Sequence, residues 1–133
     1  MGTLRAVYYR TSDGTEPVDA FIEALDVKRQ VSLDNQIGRL NTLTPEDPHL
    51  PFPHSSQLRG DLRELPCHYG RELYRILYVR SRSLLILLHA FRKNTGSVPQ
   101  REILIAQGRW DDFVRRMDAD PRVPPRAAGR DAP

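Results

Sequence analysis

The sequence predicts an α+β domain, a three- to four-stranded and mostly antiparallel sheet with helices packed on one face, in the order β-α-α-β-β-β-α. Three observations predict it. Residues 58–91 hold three segments rich in β-formers, separated by short breaks, and short breaks join strands antiparallel. Two stretches with apolar residues at helical spacing precede that block and a third follows it. Helices and strands gathered in runs, without regular alternation, favour α+β over a parallel α/β sheet.

The first strand is Leu4 to Tyr9, ended by the turn-prone Ser12-Asp13-Gly14. Thr15 or Glu16 then supplies a helix cap and Pro17 suits the first turn. Val18, Phe21, Ile22 and Leu25 recur at helical spacing as far as Asp26. A second helix is expected over Val27 to Leu43, with Val31, Leu33, Ile37 and Leu40 as its apolar stripe. Residues 44–56 contain Pro45, Pro48, Pro51 and Pro53 and read as a loop. Strands follow at Leu58 to Leu65, Glu72 to Arg80 and Ser83 to Phe91, with breaks at 66–70 and at Ser81-Arg82. The second break is tight enough for a hairpin. A last helix opens at Val98–Glu102 and presents Ile103, Ala106, Trp110, Phe113 and Val114 to the core. From Asp120 the chain is Pro, Arg, Ala, Gly and Asp with almost nothing to bury. The expected division is one domain over 1–119 and a disordered tail over 120–133.

At 133 residues the chain suits one domain with one modest core. The longest apolar run, Leu84 to Leu88, is far too short for a membrane span, and Met1 to Tyr9 lacks a signal-length apolar stretch. Cys67 is the only cysteine, so no internal disulfide and no cysteine-based metal site can form. The spacing of His49, His54, His68 and His89 matches no known ligand pattern. A cytoplasmic protein without metal, cofactor or membrane association is expected.

The net charge of +3 is unevenly spread. Arg59, Arg63, Arg71, Arg75, Arg80, Arg82, Arg92 and Lys93 crowd the strand block against Asp61, Glu64 and Glu72 alone, whereas residues 1–56 are acidic. Clustered positive charge is the footprint of a polyanion partner, and a solvated sheet face with scattered arginines gives the same pattern. Alternation puts Glu72, Tyr74, Ile76 and Tyr78 on one side of their strand and Arg71, Leu73, Arg75, Leu77 and Val79 on the other. Arg75 then either pairs with Glu64 or Glu72 across strands or aims its guanidinium at a phosphate. His89, Phe91 and Lys93 share a side of the next strand, opposite Leu88, Ala90 and Arg92. Such a row combines an acid/base group, a stacking ring and a cation.

Leu62-Arg63-Glu64-Leu65, Gly70, Tyr74-Arg75-Ile76-Leu77-Tyr78, Leu87-Leu88-His89-Ala90-Phe91-Arg92-Lys93-Asn94-Thr95, and Pro99 with Glu102-Ile103 and Ala106 together resemble the RelE/ParE toxin superfamily. The resemblance spans roughly residues 58–107 and is nearest to its phage-derived HigB-like branch. It implies a type II toxin whose concave basic face cuts mRNA on a translating ribosome without a metal. It further implies a cognate antitoxin, a helix-turn-helix HigA-like protein. By position, Arg75 matches the family's phosphate-binding strand arginine, and Lys93 with Arg92 matches the basic cluster after the last strand. His89 falls where many members carry a histidine, and its intrinsic pKa suits a general base. Arg63 and Arg71 are the expected RNA-binding cations, with Phe91 and Tyr74 as stacking rings. Pro66 departs from the pattern, because relatives commonly carry a basic residue there. The resemblance leaves two other readings: a ParE-like member that poisons gyrase without nuclease activity, and a degenerate member that only binds RNA or its partner.

Overall fold

A computed structural model describes residues 3–50, 54–94, 96–119 and Ala128. Its elements are β1 (Arg5–Tyr8), α1 (Pro17–Glu23), α2 (Val27–Leu40), β2 (Ser56–Arg59), β3 (Leu62–Tyr69), β4 (Glu72–Ser81), β5 (Leu84–Lys93) and α3 (Gln100–Ala119). The α+β class and the predicted order hold. The sheet runs β1-β5-β4-β3-β2, parallel only where β1 meets β5 and antiparallel elsewhere.

Strand β2 is additional. The expected strand over 58–65 bends at Gly60-Asp61 into a hairpin that pairs Gln57 with Arg63. Strand β3 also continues through Pro66 to Tyr69, where a break was expected. Pro66 lies past the stretch of β3 paired with β2, so its missing N–H removes no bond from a central ladder. Gly60 and Gly70 start their two-residue turns with φ of 55° and 60°, as twist-matched hairpin turns require. The β4–β5 turn does the same with Arg82 at φ 57°, the one non-glycine residue with positive φ among the described residues.

Two cores sandwich the sheet. On the first face Ala6, Tyr8, Leu65, Cys67, Tyr74, Ile76, Tyr78, Leu85 and Leu87 meet Val18 and Ile22 of α1 and Leu33, Ile37 and Leu40 of α2. On the second, Val7, Leu62, Leu77, Val79, Ile86 and Leu88 meet Ile103 and Ala106 of α3, flanked by Trp110 and Phe113. Two helices therefore share one face, and the third lies on the opposite face. A β-bulge between Leu77 and Tyr78 leaves Leu88 extra in β5. Leu88 consequently joins the second core beside Phe91, while Ala90 keeps to the first. Val114, expected to be buried, is 38% exposed because α3 turns it away from the sheet. Helix α2 stops at Leu40 rather than Leu43, and Leu43 instead accepts the Leu4 N–H at 2.6 Å.

The tail expected at 120–133 falls outside the described residues except at Ala128. That residue is buried and donates its N–H to the Ala6 carbonyl at 2.8 Å. Asn41 joins the two segments: its Oδ1 accepts from Ala6 N–H at 2.8 Å and its Nδ2 donates to the Ala128 carbonyl at 3.0 Å. Asn41→Ala strands a buried backbone donor on β1, and should lower stability by about 1–3 kcal/mol. A shifted urea midpoint with an unchanged m-value checks it.

Candidate nucleic-acid interface

Helix α3 covers only part of the second sheet face. Beyond it, antiparallel register puts Pro66 beside Arg75, His68 beside Leu73, Arg75 beside Phe91 and Leu73 beside Lys93. Partners directly opposite in such a ladder point to the same side. Glu64, Pro66, His68, Leu73, Arg75, Phe91 and Lys93 thus form one continuous surface. Pro66, Leu73 and Lys93 are half-buried and His68 is exposed.

Arg75 sits at the centre and is only 9% exposed. A cation that deep needs partners. Its Nε donates to Glu64 Oε1 at 3.3 Å and its Nη1 to the Tyr74 carbonyl at 3.0 Å. Nη2 has no partner among the described residues. The guanidinium is therefore held on two sides with one nitrogen left to donate. The cross-strand partner is Glu64; Glu72 lies on the opposite face, where Arg29 grips it with two bonds of 2.8 and 2.6 Å. Those bonds are the chief reason the Glu72 carboxyl is held down at about 2.

The histidine in this region is differently engaged. His89 Nδ1 lies 3.0 Å from Arg109 Nη1, and its Nε2 lies 2.9 Å from Glu102 Oε1. A guanidinium only donates, so Nδ1 accepts, and Nε2 carries the proton it gives to Glu102. Arg109 also donates to the Leu88 carbonyl at 2.9 Å. The imidazole stacks on Phe91 with ring centroids 5.5 Å apart. Burial pushes the His89 pKa down and Arg109 adds to that, while Glu102 opposes it. A general base needs an unoccupied ring nitrogen, and both nitrogens of His89 are taken. Its contacts clamp α3 to β5.

The other expected residues separate between the two faces. Tyr74 is 2% exposed, edge-on to Phe21, with its hydroxyl donating to Glu72. Strand alternation places that ring under α1, so stacking on RNA is not open to it. Phe91 is 8% exposed and belongs to the second core, which leaves its ring with His89 as its stacking partner. Arg92 pairs in register with Tyr74 on the first face, away from Arg75 and Lys93. Arg63 also points to the first face, where its Nε donates to Ser55 Oγ at 3.1 Å. Arg71 lies exposed in the β3–β4 turn, at the rim of the Arg75 surface. Sequence reasoning missed His68 as a member of this surface. Counting two residues on from Pro66, the cross-strand neighbour of Arg75, would have found it, had Pro66 not been read as a strand break.

Among the described residues no group of three or more His, Cys, Asp or Glu is placed to hold a metal ion. Likewise no described helix is long and apolar enough to cross a membrane. A comparison with curated proteins finds no match. A family model described as phage-derived protein Gp49-like (DUF891) matches residues 20–111, a span that includes α2, all of β2–β5 and the Arg75 surface. This chain belongs to the phage-derived Gp49-like family, a family of the RelE toxin type.

Proposed function

We propose that this protein is the toxin of a type II toxin–antitoxin pair, a cytoplasmic endoribonuclease that cuts mRNA on translating ribosomes. The observation that carries the reading is Arg75: a buried guanidinium, fixed by Glu64, with one nitrogen left to donate on a sheet surface it shares with half-buried Lys93 and exposed His68. Membership in a RelE-type family supports it. The expected partner is a helix-turn-helix antitoxin.

The reaction asks for four things: in-line alignment, a proton acceptor, charge stabilisation and a proton for the leaving oxygen. The 2′-hydroxyl attacks the adjacent phosphorus and gives up its proton, and the P–O5′ bond breaks. The products are a 2′,3′-cyclic phosphate and a 5′-hydroxyl. In this reading Arg75 Nη2 donates to a non-bridging oxygen, where charge grows in the transition state. Lys93, which shares that face, protonates the leaving O5′. His68, exposed on the same face, takes the 2′-hydroxyl proton in place of the clamped His89.

The test is to add the protein to translating ribosomes and map mRNA ends. The expected ends are a cyclic phosphate and a 5′-hydroxyl, formed equally in the presence of a zinc-selective chelator that leaves ribosomal magnesium in place. Ends bearing a 5′-phosphate, or cleavage abolished by the chelator, would sink this chemistry. Intact mRNA with trapped gyrase–DNA complexes in arrested cells would move the protein to the gyrase-poison reading.

A further inference from the structure

On the first sheet face, away from Arg75, the β2–β3 and β4–β5 turns enclose a cleft of about 460 Å³ with the loop before β2. Its lining includes His49, Gln57, Asp61, Arg63, Arg80 and Arg82. We infer that this cleft is a phosphate-binding site, taking the phosphate of a ribonucleotide or of an RNA chain.

Three observations carry the inference. The first is unbalanced charge. Among the described residues none of the three arginines has a carboxylate within ion-pair distance, and Asp61 is the single acid in the lining. Like charges held together in a cleft repel, and an anion relieves that repulsion. The second is preorganisation. Arg80 donates to the carbonyls of Pro45, Asp47 and Pro48. Arg63 is anchored through Nε to Ser55, whose hydroxyl also meets Tyr78 Oη at 2.5 Å. That bond leaves both Nη atoms of Arg63 without a partner among the described residues, as a phosphate fork requires. The third is Arg82. The other two hairpins put glycine where φ is positive, and this one puts arginine there. The left-handed conformation is unfavourable for a residue with a side chain and free to glycine. Strain of this kind gathers at functional positions, and here it holds a long cation at the mouth of the cleft.

His49 reports on occupancy from inside the lining. Burial lowers its pKa, and the nearby charges of Arg63 and Arg80 lower it further. An anion between the arginines offsets the second cause, so the His49 pKa should rise when the cleft fills. Arg82→Gly removes the cation, and glycine suits the backbone there, so this variant stays folded.

The experiment is an NMR titration of the His49 ring with inorganic phosphate, adenosine 5′-monophosphate and a short single-stranded oligoribonucleotide. All three should raise the His49 pKa, and Arg82→Gly should weaken binding about five- to tenfold, the size of one charge-assisted contact. An oligoribonucleotide that binds more tightly than the mononucleotide, with a log–log salt slope reduced by about 0.7 in Arg82→Gly, identifies an RNA chain as the ligand. Equal affinities identify a single phosphate group. A His49 signal indifferent to all three probes overturns the inference, and so does an Arg82→Gly variant that binds as the parent does. Neither result depends on whether the protein cleaves mRNA.

Discussion

Replacing Arg75 by alanine should reduce mRNA cleavage about 10²–10³-fold, the usual loss when one preorganised donor to a developing oxyanion is removed. The same change has a structural cost, because Arg75 balances Glu64 at 3.3 Å and both side chains are nearly buried. Left alone, the Glu64 carboxylate is uncompensated, and the single variant should lose about 3 kcal/mol of stability. Loss of activity in Arg75→Ala would by itself confuse unfolding with chemistry. The double variant Arg75→Ala/Glu64→Ala separates them. It removes the orphaned charge and should recover most of the lost stability, while cleavage stays at the level of the single variant. Arg75→Lys should restore only a small part of the rate. An ammonium keeps the charge but cannot hold the Glu64 and Tyr74 bonds while still donating in a planar fork. A folded double variant that still cuts mRNA at the parental rate would make Arg75 a purely structural residue.

That pairing illustrates what the sequence made legible. Strand β4 could be read because it is a run of β-formers between turn-prone breaks, and the structure puts Tyr74, Ile76 and Tyr78 in the first core. Alternation left Arg75 facing either a carboxylate, Glu64 or Glu72, or a phosphate, and the register of β3 against β4 selects Glu64 as its carboxylate. The bulge at Leu88 had no such signal. Leu84 to Leu88 is apolar throughout, so no polar residue marks which way each side chain points, and register is weakly specified by pattern alone. The side taken by α3 was hidden for a related reason. Helical spacing identifies a buried stripe but not which sheet face receives it, and here both faces are apolar. Pro66 concealed the continuity of β3, and with it the place of His68. Proline speaks against a central strand, yet β3 is flanked by β2 only as far as Glu64, and past that point the rule does not apply. For the site, identity by position pointed to Arg75 and to Lys93 with Arg92, and the register puts Arg75 and Lys93 on one face. Arg92 and Tyr74 fall on the opposite face, as the alternation of their strands predicts, and Arg63 joins them there.

The clamp between β5 and α3 should make the fold sensitive to mild acid. In the unfolded chain His89 titrates near its ordinary value, about 6.5. In the folded protein burial pushes that value down, helped by Arg109 and opposed by Glu102. The geometry explains the direction: a second ring proton on Nδ1 would face the Arg109 N–H 3.0 Å away. As pH falls below about 6.5 the unfolded state takes up a proton that the folded state refuses, so stability declines, by at most about 1.4 kcal/mol per pH unit for one group. The decline ends once the folded histidine is protonated too. Above the unfolded value the contribution is fully present. His49 shifts in the same direction, whereas Asp13 and Glu72, held at about 2, lose their contributions only at lower pH, as it falls from the ordinary carboxylate range. Two variants isolate the clamp. His89→Gln offers an oxygen to Arg109 and an amide N–H to Glu102, yet has no proton to gain, so the fall in stability between pH 7 and 5 should flatten. His49→Gln should leave the His89 component of that fall intact. Glu102→Ala, which removes the acceptor of a charge-assisted bond in a side chain 11% exposed, should cost about 2–3 kcal/mol at pH 7. Denaturant midpoints measured across this range decide the matter: identical slopes for the parent and His89→Gln would mean that His89 is protonated in the fold as readily as in the unfolded chain, and that the clamp does not exclude the second proton.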